Sequence, residues 1–100
     1  MRVSWVNERG EQLDWNYFEV MLLHELSDIG LRDPSSHCLR YVDEYGTVIF
    51  SSLQMPKLLE ELKAAGPSLS VSADEFAFLL KMVEKCQTEP GTFLRIKSPY

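Results

Sequence analysis

The sequence predicts an α+β domain in which three helices pack on a small, mainly antiparallel sheet, in the order (β)αββααβ. Helical and strand-like patterns occupy separate blocks without a regular βαβ alternation, which is typical of this class. The chain has 100 residues, of which 45% are hydrophobic and 25% charged, and these values are ordinary for a globular protein. A chain of this length suits one domain, so we expect residues 1–100 to form a single domain.

The first predicted elements are a short strand and a long helix. Residues 2–6 alternate weakly between apolar and polar side chains, which indicates a short edge strand. Apolar side chains then recur at spacings of three and four over residues 13–29, which predicts an amphipathic helix. Asp14 is its expected N-cap, and Gly30 is expected to end it in a left-handed conformation. A second apolar stripe on this helix would be sandwiched between layers or exposed to a partner: Leu13, Tyr17, Val20 and His24.

The middle of the chain reads as a β-hairpin that leads into a second helix. Residues 38–42 and 47–50 are rich in β-branched, aromatic and aliphatic side chains, and Gly46 ends the turn between them. This pattern predicts two antiparallel strands joined by a short loop. Pro56 suits the first turn of the helix that follows, because a missing N–H group is tolerated there.

The third helix is marked by its start signal. Ser72 and Glu75 have the spacing of a capping box, in which each side chain bonds the other residue's backbone N–H group. Pro90 and Gly91 end this helix, and residues 92–96 alternate as a last strand.

The net charge of −5 lies entirely in the first half of the chain. Residues 1–50 hold nine acids and four bases, whereas residues 51–100 hold six of each. A one-sided acidic field repels nucleic acids and anionic membranes and attracts basic partners. We therefore expect no nucleic-acid or membrane partner. Since no apolar run reaches the ~20 residues of a membrane span and no signal peptide is evident, we expect a cytoplasmic protein.

The sequence offers no catalytic or metal-binding motif. The two histidines lack the recurring spacings of a zinc site, so we expect no metal and no cofactor. His37 and Cys38 are neighbours, and on a strand their side chains would point to opposite faces, which argues against a nucleophilic pair. Adjacent acids such as Asp43 and Glu44 are typical of solvated turns rather than of converging catalytic carboxyls. We expect no enzyme activity.

One segment resembles a protein family. The run Y-V-D-E-Y-G-T-V-I-F, followed by L-Q-M-P and L-L-E-E-L, spans residues 41–62. It is similar to a group of small bacterial proteins with the pattern V-D-x-Y-G-x-T-V-F, then L-Q-x-P and L-x-E-L, with a one-residue departure after the turn. These proteins are associated with immunity to toxins, as in contact-dependent growth inhibition.

The resemblance implies an immunity protein that binds and neutralises a cognate toxin domain, often a basic nuclease, as a monomer in a 1:1 complex. An acidic inhibitor would gain association rate and specificity from complementary charge. The alternative is a non-catalytic adaptor that self-associates through the second stripe of the first helix. We expect the first helix and the hairpin tip to share the binding face, and the candidate partner-binding residues are Glu11, Asp14, Asp28, Asp33, Asp43, Glu44 and Tyr45.

Overall fold

A computed structural model describes all 100 residues and confirms the α+β class. Four strands form one antiparallel sheet in the order β2-β1-β4-β3. The strands are β1 (Arg2–Val6), β2 (Gln12–Tyr17), β3 (Thr47–Ser51) and β4 (Phe93–Lys97). The helices are α1 (Val20–Arg32), α2 (Met55–Ala65) and α3 (Ala73–Thr88), and 3-10 turns lie at Leu39–Tyr41, Ser52–Gln54 and Gly66–Ser68.

The predicted order (β)αββααβ is wrong in two places, because the observed order is ββαβααβ. The first error concerns residues 13–17, which belong to the strand Gln12–Tyr17 rather than to the start of the first helix. This strand pairs with β1 from Arg2 with Tyr17 to Val6 with Gln12, with a register shift at Leu13. Alternating Trp15 and Tyr17 suit a strand, and backbone pairing decided the conformation over the coincidental helical spacing. Residues 2–6 are thus a central strand, not an edge strand.

The second error concerns residues 38–42, which form a 3-10 turn instead of the first strand of a hairpin. One carboxylate explains the difference. Glu61 of α2 accepts hydrogen bonds from the backbone N–H groups of His37, Cys38 and Leu39, at 2.9 to 3.2 Å. These N–H groups are therefore satisfied by a side chain from a distant helix. Strand β3 pairs with β4 instead of with residues 38–42.

Gly30 does not end the first helix. The helix continues to Arg32, and Gly30 lacks the positive φ that a left-handed cap requires. The glycine is needed for a different reason, since a Cβ atom there would overlap the backbone carbonyl of Leu39. The 3-10 turn thus packs directly on the helix backbone at this position. Likewise Asp14, in β2, caps no helix; α1 begins after Glu19, which makes no capping bond with its side chain.

One local prediction is confirmed, and the predicted capping box of the third helix is confirmed for one of its two hydrogen bonds. Pro56 lies in the first turn of α2, and the Ser72 hydroxyl accepts a hydrogen bond from the Glu75 N–H group at 3.2 Å. A reciprocal capping box occurs elsewhere, at Ser51 and Gln54, where the chain leaves β3.

The helices cover one face of the sheet and leave the other open. Twenty buried residues form one core, to which the sheet contributes side chains from its inner face. Paired residues point to the same side of a sheet, so the registers assign Val3, Phe50, Leu94 and Ile96 to this face. Val6 points the other way and, although buried, lies outside the core. No helix is long and apolar enough to cross a bilayer.

Candidate binding surfaces

Two of the predicted partner-binding acids lie in β2 or directly before it. Glu11 precedes the strand, and the side-chain amide of Asn7 donates to its carboxylate at 3.2 Å. Asp14 lies on the inner face of the sheet, where its Oδ2 atom is 3.0 Å from the Nζ atom of Lys85 in α3. The hydrogen bond from Lys85, assisted by the N–H group of Trp15, holds the pKa of Asp14 below its ordinary value. Asp14 thus joins the sheet to a helix.

Two further candidates lie at the C-terminal end of α1. Asp28 forms an ion pair with Arg32 one turn later, with 3.2 Å between Oδ1 and Nε. Asp33 follows the helix and accepts hydrogen bonds from the hydroxyl and N–H groups of Ser35, at 2.6 and 2.9 Å. These bonds hold the pKa of Asp33 below its ordinary value. Both carboxylates remain exposed to solvent.

The last three candidates lie in the loop before β3. Asp43 accepts a hydrogen bond from the N–H group of Tyr45 at 2.9 Å. Glu44 lies 3.1 Å from the Nδ1 atom of His24 in α1, so the loop contacts the first helix. The side chain of Tyr45 is 75% exposed, and its ring centroid is 6.0 Å from that of Tyr100. Tyr45 is therefore a solvent-exposed aromatic side chain with one aromatic neighbour.

The structure does not gather all seven candidates on one surface. The registers place Gln12 and Ser51 at one end of the sheet and Thr47 at the other. Glu11 precedes Gln12, whereas residues 43–45 lie just before Thr47. Glu11 is therefore at the far end of the sheet from this loop. The loop lies instead beside α1, which also carries Asp28 and leads into Asp33.

The predicted second stripe of the first helix does not exist as a helix surface. Leu13 and Tyr17 belong to β2, whereas Val20 and His24 belong to α1. The four side chains are thus divided between a strand and a helix. A self-association surface built on one helix face has no counterpart in the fold.

The cysteines and histidines assemble no reactive centre. No group of three or more His, Cys, Asp or Glu side chains is arranged to hold a metal ion. Cys38 and Cys86 are free and buried. Burial raises the pKa of Cys86, and burial with the nearby charge of Glu61 raises the pKa of Cys38 to about 11. Both thiols are thus protonated at neutral pH, and a protonated thiol is a poor nucleophile.

The outward side of α1 combines acids with exposed apolar side chains. Met21 and Leu31 are exposed near its two ends, and Glu25 and Asp28 lie between them. The spacings of four and three residues place these side chains on one side of the helix. Glu19 precedes the helix and Asp33 follows it. We call this surface the α1 face, and its members are Glu19, Met21, Glu25, Asp28, Leu31 and Asp33.

A groove of about 300 Å³ adjoins the N-terminal end of the α1 face. Its acidic lining residues are Glu19, Glu25 and Glu75, and no lysine, arginine or histidine lines it. Glu25 also accepts hydrogen bonds from the N–H and hydroxyl groups of Ser70, at 3.1 and 2.9 Å, which fixes its carboxylate in the wall. Met21 adds an apolar surface. We call this the α1–α3 groove; its charge suits a cationic side chain with an aliphatic stem.

The opposite side of the molecule is the uncovered face of the sheet. Alternation along the strands and the registers between them assign twelve side chains to it. Three are basic and none is acidic. We call this surface the open sheet face: Arg2, Ser4, Val6, Gln12, Trp15, Tyr17, Thr47, Ile49, Ser51, Phe93, Arg95 and Lys97.

The three cations of the open sheet face have no acidic partner. Arg2, Arg95 and Lys97 form no ion pair with any residue of the chain. The Nε atoms of both arginines are buried without a hydrogen-bond acceptor. Arg95 reaches across β1 only to the side-chain oxygen of Gln12, at 3.5 Å, which the Ser4 hydroxyl also bonds at 2.8 Å.

Aromatic and aliphatic side chains flank these cations. Trp15 and Tyr17 lie on the edge strand β2 with ring centroids 5.1 Å apart in an edge-to-face arrangement. Ile49 lies on the other edge strand, β3, and all three side chains are exposed. The sequence alternation of Phe93, Arg95 and Lys97 was a signal for part of this face. The rest of the face does not follow from the sequence, because the helical spacing over residues 13–29 hides β2 and the weak alternation of residues 2–6 predicts only an edge strand.

The comparisons with known proteins supply no relative. No family model, no curated protein and no solved structure matches the chain at a significant level. The surfaces described above must therefore be interpreted from their own chemistry.

Proposed function

We propose that this chain is a non-catalytic, cytoplasmic immunity protein that neutralises a basic protein toxin, in the manner of a nuclease inhibitor, by 1:1 binding. The observation that carries the proposal is the α1 face with its adjoining groove, where acids lie next to exposed apolar side chains. Complementary charge increases the association rate, and apolar contacts at the centre of an interface supply affinity. The resemblance of residues 41–62 to immunity proteins supports the same class of partner.

The α1 face fits this role better than the other predicted acids do. Its net charge is negative, because two bases lie beside its four acids: Arg32, which is paired with Asp28, and Lys57 of α2, which lies near Asp33. The loop of residues 43–45 extends the surface through the contact between Glu44 and His24. Tyr45 adds an exposed aromatic side chain, the kind of group that often dominates binding energy at interfaces. Glu11 and Asp14 are not part of this surface.

The experiment begins with the reading frame adjacent to the gene for this chain. Its product, or the C-terminal region of a large secreted protein encoded there, is purified and titrated against this chain by calorimetry. The proposal predicts a 1:1 complex, loss of toxin activity in the complex and an affinity that falls as salt rises. Absence of a complex with any neighbouring product would contradict the proposal.

A charge reversal then locates the surface. The variant Glu19→Lys/Asp28→Lys changes two exposed acids of the α1 face. The matched control Glu84→Lys/Glu89→Lys changes two exposed acids at the far end of α3 by the same charge. We expect the first variant to weaken binding by about tenfold or more, which is about 1.4 kcal/mol, and the control to bind like the wild type. Equal effects from both variants would indicate a general charge effect.

A further inference from the structure

The open sheet face carries a charge opposite to that of the whole protein. Arg2, Arg95 and Lys97 lie on the two central strands and form no ion pair. One acid adjoins the face, since Glu8 in the turn after β1 lines a groove with Arg95. In a chain with a net charge of −5, unpaired cations on a single uncovered surface are a local field that favours an anionic ligand. This surface is independent of the α1 face and of the function proposed for it.

The positive charge of the open sheet face and the negative charge of the rest of the protein narrow the class of ligand that can bind. A second copy stacked face to face would bring the cations of one sheet toward those of the other, and like charges repel. A long nucleic acid carries a dense negative charge that the acidic remainder of the protein repels. A short acidic segment of another protein is small enough to interact mainly with the positive field of the open sheet face. Its few carboxylates can be matched to the few cations.

We propose that the open sheet face binds an extended acidic segment of a partner protein, with carboxylates at alternate positions. Arg95 and Lys97 are two residues apart on β4, so their side chains leave the sheet about 7 Å apart. Alternate side chains of an extended peptide point to one side with the same spacing. Each carboxylate can then accept charge-assisted hydrogen bonds from one cation.

The edges of the face supply the apolar contacts. Trp15 and Tyr17 line one side of the cations and Ile49 lines the other. The aliphatic carbons of glutamate side chains can pack against these walls while the carboxylates reach the arginine and lysine groups. The buried Nε donors of Arg2 and Arg95, which have no acceptor within the chain, are available to a carboxylate that displaces the neighbouring side chains.

The test uses a dye-labelled heptapeptide of alternating glutamate and threonine, titrated against the full chain by fluorescence anisotropy at low salt. A peptide with glutamine in place of glutamate is the reference ligand. We expect the acidic peptide to bind and the reference peptide not to bind. Binding should weaken steeply as salt is raised, since exposed charges are screened. Equal binding of both peptides, or of neither, would overturn the proposal.

Matched variants connect the binding to the face. Arg95→Gln/Lys97→Gln should lower the affinity by about tenfold, because two exposed ion pairs are removed. Lys63→Gln/Lys81→Gln removes the same charge from exposed positions on α2 and α3 and should leave the affinity unchanged. Thr47→Glu adds an acid beside Lys97 and should also weaken binding. This third variant keeps the test valid if the arginine substitution harms folding.

Two further measurements decide between the proposed ligand and its competitors. A labelled oligothymidylate is titrated under the same conditions, and light scattering records the mass of the free protein. Tighter binding of the oligonucleotide, lost in Arg95→Gln/Lys97→Gln, would replace the proposal with a nucleic-acid surface. A dimer that dissociates in the same variant would replace it with self-association. A monomer that prefers the acidic peptide supports the proposal.

Discussion

Several charged groups of the helical side have partners within the chain, whereas the three cations of the open sheet face form no ion pair. Glu61 accepts three backbone hydrogen bonds, Glu25 binds Ser70, and Asp14 of β2 pairs with Lys85 of α3. The cations of the open sheet face form no ion pair. A charge with an internal partner stabilises the fold, and its removal leaves a polar group unsatisfied. A charge without one contributes little to folding and is free to bind a ligand.

The largest loss of stability should follow from a substitution at the closest backbone contact of the helical side. Gly30→Ala places a methyl group against the Leu39 carbonyl, and neither the helix nor the 3-10 turn can move without disturbing the other. We expect the free energy of unfolding to fall by about 3 kcal/mol, at the upper end for overpacking. Urea denaturation measures it.

Gly46→Ala is the matched control. A Cβ atom there would meet the end of the Asp43 side chain, which can rotate away, and Gly46 has no positive φ. We expect a change below about 1 kcal/mol, in the range of ordinary surface substitutions. A Gly30→Ala variant as stable as the control would mean that α1 and the 3-10 turn are not in direct backbone contact.

The second-largest loss of stability should follow from substitution of Glu61. In Glu61→Gln one carboxylate oxygen becomes an amide donor, so the N–H groups of His37, Cys38 and Leu39 cannot all keep a charged acceptor. We expect a loss of about 2 kcal/mol, since hydrogen bonds to charged groups contribute more than neutral ones. The measurement is chemical denaturation near neutral pH.

The neighbouring acid provides the comparison for this variant. Glu60 is exposed and lies 3.4 Å from Lys57 in an ion pair at i, i+3. Glu60→Gln should cost no more than about 0.5 kcal/mol. If both glutamines reduced stability equally, the three backbone bonds to Glu61 would contribute nothing.

The contacts of Glu61 show why the sequence could predict some parts of the fold and not others. The starts of α2 and α3 depend on local signals, Pro56 and the Ser72 cap, and both were predicted correctly. Residues 38–42 have a strand-like composition, but their conformation depends on a carboxylate more than 20 positions away. No local pattern reports such a contact. The same holds for Gly30, whose role depends on the packing of Leu39.

The candidate surfaces, too, could be predicted from the sequence only in part. The acids of the first helix and its flanks were visible in the charge pattern, and Asp28 and Asp33 do lie at the surface. The pairing of Asp14 with Lys85 was hidden, because these residues are far apart in the chain and meet only when the sheet packs on α3. The open sheet face required the order of all four strands, which depends on long-range pairing. Sequence patterns predict elements better than they predict neighbours.

Substitution of Asp14 should reduce stability by a smaller amount, and this amount depends on pH. The pKa of Asp14 is lowered in the folded protein by Lys85, so the ionised form favours folding. The stabilisation is complete above the ordinary pKa of 3.8 and is lost as the pH falls through the lower, folded value. We expect Asp14→Asn to reduce stability by up to about 1 kcal/mol at pH 7, since the pair is partly exposed.

Urea denaturation of the wild type and of Asp14→Asn over a series of pH values provides the test. The difference in the free energy of unfolding should be constant from pH 7 to pH 5 and shrink below pH 4. Lys85→Gln should give a similar profile, because it removes the other member of the pair. A difference that grew on acidification would have the wrong sign for a stabilising ionised Asp14.

The smallest effect should occur on the open sheet face. Arg95→Gln/Lys97→Gln removes two positive charges that have no acidic partner, so no ion pair is lost and no carboxylate is left unpaired. The one internal bond at risk is the 3.5 Å contact from Arg95 to Gln12, which is at the limit of hydrogen-bond length. We expect the free energy of unfolding to change by less than about 0.5 kcal/mol, measured by urea denaturation at low salt. A loss of 2 kcal/mol, comparable to that from Glu61→Gln, would mean that these cations support the sheet. The distinction between structural charges on the helical side and free charges on the open sheet face would then fail.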